Sequence, residues 1–162
     1  MHWLSGDKYS PCDRRTQVER QILDLNQGEL EWVSNNLTAV KGIIQSTISK
    51  DDPEWLQPTF LDGAYKIWYS NHDRKSEDPN PMINAFGIAF GQYLVEKRDF
   101  EWKVITDQHG AELAVRGMPG EIVLFPTNLV AKRYEKGLVD FFVPLSEEII
   151  VKIDEIRTQL TA

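Results

Sequence analysis

The sequence is short of most of what marks a specialised chemistry. It has one cysteine, Cys12, so neither a disulfide framework nor a CxxC zinc site is available. No apolar run approaches the roughly 18 residues that a membrane span requires. Met1-His2-Trp3-Leu4-Ser5-Gly6-Asp7 has neither the basic start nor the apolar core of a secretory signal, so a cytoplasmic location is expected. Positive charge is in deficit: 18 Lys and Arg face 25 Asp and Glu, for a net charge of -7. A nucleic-acid binder needs clustered Lys and Arg against phosphate, so that class is set aside. The remaining composition, 41% hydrophobic and 27% charged over 162 residues, is that of an ordinary globular domain. A chain of this length buries about 70% of its unfolded surface, enough for a core without staples.

Catalytic motifs are missing as well. There is no GxSxG elbow, no GxxxxGK[ST] loop, no GxGxxG after a strand and no HExxH. His2, His72 and His109 lie far apart, in an arm, a loop and a turn, which does not supply the three or four converging ligands of a zinc site. No metal and no cofactor are expected.

What is present is a change of pattern along the chain. Residues 1–15 are polar and read as a flexible arm, with residues 16–162 forming a single domain. Thr16, with Glu19 three residues on, reads as a capping box opening a helix that carries Val18, Ile22 and Leu25. Leu30, Val33, Leu37, Val40, Ile44 and Ile48 extend an apolar helical stripe, with Gly28 as a divider or a weak point. That stripe is a core face first and a self-association face second. Asp51-Asp52-Pro53 ends it. Further helices are expected over residues 59–69 and 82–97. In the latter, Gly87 and Gly91 share a face and admit a close neighbour.

The period then switches. Residues 101–106, 111–117 and 121–125 read as strands joined by turns at Asp107-Gln108-His109-Gly110 and Gly117-Met118-Pro119-Gly120. A short helix from Pro126 to Lys136 follows, stopped by Gly137. Residues 138–143 are read as a fourth strand, and Leu145-Ser146-Glu147-Glu148 as the cap of a closing helix. Helices before strands give an α+β fold: N-terminal helices, a small antiparallel sheet of three to four strands, and a C-terminal helix.

Four local features carry chemistry. Asp107, His109 and Glu112 form an acid–base cluster, although hairpin reversal is itself sufficient reason for Asp and Gly there. Cys12, flanked by Arg14 and Arg15, reads as an incidental thiol, because an arm positions no base. Lys132-Arg133-Tyr134-Glu135-Lys136 is basic but reads as a solvated face. Asp51, Asp52, Glu54 and Trp55 put three carboxylates beside an aromatic in one loop. This is the best candidate contact for a basic protein partner, since aromatic anchors dominate interface energetics.

The order Gly87-x-x-x-Gly91, Trp102, Asp107-x-x-Gly110, Pro126 and Lys132-Arg133 resembles a small bacterial family known as domain of unknown function 3806, over roughly residues 61–153. That resemblance implies an α+β fold and no catalytic residue. In size, charge and style the chain also resembles cytoplasmic immunity proteins, which implies a protein that binds and neutralises a toxin. The alternative is a small-molecule-binding or enzymatic domain whose site is assembled from residues distant in sequence.

Overall fold

The computed structural model describes residues 2–3, 20–48, 51–73 and 75–161. Where a helix over Val18, Ile22 and Leu25 is expected, the described residues form a strand, β2 (Gln21–Leu23), while Val18 and the supposed cap at Thr16 lie outside the described residues. Ile22 faces inward and pairs with Ile105, so its apolar character serves a sheet face and not a helical stripe. The true helix start is α1 (Gln27–Thr47). Asn26 caps it, its side chain accepting from the Glu29 amide while the Glu29 carboxylate accepts from the Asn26 amide. Gly28 therefore sits in the first turn and divides nothing. Val33, Val40 and Ile44 of the stripe are buried, whereas Leu30 and Ile48 at its ends are exposed.

Two helices follow, α2 (Pro58–Asn71) and α3 (Asn80–Lys97). Ile83 and residues 85–91 are buried, together with Tyr93 and Leu94, because α3 runs through the centre of the molecule with neighbours on every side. Gly87 and Gly91 make this possible. A Cβ on Gly87 would lie 2.5 Å from the Thr127 Cα, and one on Gly91 2.4 Å from the Trp102 ring. The expected close approach is therefore made by the chain around Pro126 and Thr127.

The sheet comes next, β3 (Phe100–Asp107), β4 (Gly110–Gly117) and β5 (Ile122–Leu124). Phe100 pairs with Gly117 and Asp107 with Gly110, leaving Gln108 and His109 as the hairpin turn. The order is β1-β5-β4-β3-β2, where β2 to β5 are antiparallel neighbours and β1 (His2–Trp3) adds a short parallel edge beside β5. The α+β expectation holds, with a four-stranded antiparallel sheet.

The fourth strand is not the expected one. Residues 138–143 form no strand: after α4 (Pro126–Glu135) the backbone turns at Gly137 (φ 70°) and Asp140 (φ 55°), then enters α5 (Phe142–Thr161). Phe141 and Phe142 are apolar because they plug the main core at the start of that helix, and an apolar run alone cannot distinguish this from a strand. Nor does Ser146 cap α5. Its hydroxyl donates to the Val143 carbonyl inside the helix. The cap comes from α2, where the buried Asp62 carboxylate accepts from the Phe142 amide at 2.7 Å and the Val143 amide at 2.9 Å. A carboxylate at a helix N-terminus also meets the positive end of the helix dipole.

Candidate functional site

The acidic loop lies at the C-terminal end of α1. Asp52 builds the turn it stands in: its side chain accepts from the Glu54 amide at 2.8 Å, and its carbonyl from the Trp55 amide. Asp51 accepts from the Gln45 side chain, which ties the loop back to the helix. Glu54 accepts from the Gln57 side chain at 2.8 Å and pairs with Lys97 at 3.5 Å. The Gln57 hydrogen bond, followed by the Lys97 charge, holds the Glu54 carboxyl below its ordinary pKa. Trp55 is half-buried against the main core, with the Lys41 ammonium 6.0 Å from its ring centroid. The structure thus brings Asp51, Asp52, Glu54 and Trp55 together on one hydrogen-bonded loop. Asp52 and Trp55 also hold that loop's shape, a local role that the residue types alone did not reveal.

The acid–base cluster at the hairpin is less assembled. Asp107 Oδ1 accepts from the His109 amide at 2.7 Å, the structural use expected of an Asp in a turn. The His109 ring is exposed beside the Gln108 side chain. Of the three residues, Glu112 lines a crevice of about 280 Å³ between α1, the hairpin and α4. Cys12 lies outside the described residues, and among those described no group of His, Cys, Asp and Glu is arranged to hold a metal. In the basic run, Arg133 donates to the Leu129 carbonyl, and burial lowers its pKa against the opposing pull of Glu148.

One constellation escaped the sequence reading. His72, immediately after α2, has a side chain only 1% exposed. Its Nδ1 lies 3.2 Å from Glu77 Oε2, and its Nε2 lies 2.9 Å from the Tyr134 hydroxyl on α4. The ring stacks on Trp68 at 4.7 Å and meets the Tyr134 ring edge-on at 5.9 Å, and Tyr134 in turn packs against Trp68 and Tyr69. A carboxylate at Nδ1 favours the tautomer that donates there, so Tyr134 donates to Nε2. With both nitrogens partnered and the ring enclosed, the chain fastens the loop after α2 to α4. His72 and Tyr134 are 62 residues apart, so no spacing rule joins them. The surplus of aromatics at 65, 68, 69 and 134 was the one available signal. His72→Ala is expected to cost about 1–2 kcal/mol through the lost stack and hydrogen bonds, read as a lower melting temperature. An unchanged melting temperature would show the chain to be incidental.

Comparison with known proteins bears on the fold and the family. No curated protein matches the chain. A crystal structure from Bacteroides thetaiotaomicron VPI-5482 is similar, with a TM-score of 0.59 and 14% identity, covering 77% of this chain and 45% of that one. The chain spans less than half the length of that relative, and at such identity the likeness concerns the fold alone. A family model described as a domain of unknown function, DUF3806, matches residues 67–142, a narrower stretch than the sequence resemblance spanned. Trp68, His72, Glu77 and Tyr134 lie inside it and the acidic loop lies outside. That stretch runs from the second half of α2 to the first residue of α5, less than half of the chain, and over it the chain is similar to the DUF3806 family.

Proposed function

We propose that the protein is a non-catalytic protein-binding module, most concretely a cytoplasmic immunity protein that binds and neutralises a basic bacterial toxin or effector. The observation that carries this reading is the organisation of the acidic loop. Asp51, Asp52 and Glu54 stand on one turn held by hydrogen bonds to Gln45, the Glu54 amide and Gln57, with Glu54 also paired to Lys97, beside a tryptophan half-buried against the core. A preorganised loop loses little freedom on binding, and a partly exposed Trp is a typical interface anchor. Net charge of -7 adds long-range attraction for a basic partner, which can raise association rates toward ~10⁸ M⁻¹s⁻¹ at low salt. Among the described residues no helix is long and apolar enough to cross a membrane.

The test removes charge while keeping shape. Asp51→Asn, Asp52→Asn and Glu54→Gln together retain an acceptor oxygen at each position, including the one that builds the turn. Tagged wild type and this triple variant are used to capture partners from host lysate in parallel. A basic protein held stoichiometrically by the wild type and depleted about tenfold on the variant supports the reading. Equal recovery on both, or no stoichiometric partner on either, rules the surface out.

The alternative, an enzymatic or small-molecule-binding domain, has one observation in its favour, the carboxylate–imidazole–phenol chain of Glu77, His72 and Tyr134. It ranks second because the imidazole that would move the proton is enclosed.

A further inference from the structure

No further inference is drawn: the strongest candidate, the apolar patch of Ile105, Ala114, Val123 and Phe125 on the face of the sheet opposite Phe100, Val115 and Leu124, carries nothing because nothing among the described residues shows what covers it.

Discussion

Gly87→Ala is expected to destabilise the protein by about 2–4 kcal/mol, although alanine in the middle of a helix ordinarily gains about 1 kcal/mol over glycine. The reason is what the added methyl meets. Its ideal position lies 2.5 Å from the Thr127 Cα and 2.9 Å from the Thr127 nitrogen, and these are backbone atoms that no rotamer change can move. Relief requires α4 to shift away from α3, and overpacking of a filled core costs about 1–3 kcal/mol or more. Gly42→Ala on α1 supplies the contrast: nothing lies within 4 Å of its Cβ, so that change should stabilise by about 1 kcal/mol. Chemical denaturation of both variants gives the comparison. A neutral or stabilising Gly87→Ala would mean that α3 and α4 are not packed as described.

Asp62→Ala is the second large effect, at about 2–4 kcal/mol, or roughly 5–15 °C in melting temperature for a domain of this size. The Phe142 and Val143 amides would lose the acceptor that caps α5, and each buried unsatisfied donor costs about 1–3 kcal/mol. Asp62→Asn should recover only part of the loss, because its NH₂ group confronts one of the two amides. The same carboxyl gives a pH dependence. Burial raises its pKa, the Val143 and Phe142 amides oppose that, and the nearby Asp140 charge adds to it. With the folded pKa above the ordinary 3.8, the folded state holds the proton more tightly than the unfolded state does. The proton-linked part of the Asp62 contribution is therefore fully present below that ordinary value and is lost as pH rises through the folded one, while the cap on the Phe142 and Val143 amides is a separate term. Wild type should gain stability relative to Asp62→Asn as the pH falls from neutral into that window. A gap that narrows with acidification would reverse the sign of the account.

Much of this architecture was legible because it rests on local periodicity. The stripe ending at Ile44, the glycine pair on α3 and the hairpin closed by Asp107 and Gly110 are each written within a few residues. What misled was also local. Ile22 and Leu25 have helical spacing, yet Ile22 answers to Ile105 across the sheet, a partner more than 80 residues away. Phe141 and Phe142 look like a strand only when the aromatic core that receives them is left out. The cap of α5 sits on another helix, so a search for a neighbouring Ser or Glu found Ser146 instead of Asp62. The candidate sites divide in the same way. Asp51, Asp52, Glu54 and Trp55 are contiguous and could be read directly, whereas His72, Glu77 and Tyr134 become a unit only when α2 and α4 come together.

The most direct test of the acidic loop as a docking surface is the association rate with the partner that capture delivers. It would be measured by stopped flow over a range of ionic strength, for wild type and for the Asp51→Asn, Asp52→Asn, Glu54→Gln variant. If the loop steers a basic partner, the wild-type rate falls steeply with salt while the variant starts slower and shows a shallower slope. Identical rates and slopes for the two proteins would contradict the account, since the charges would then contribute nothing to encounter.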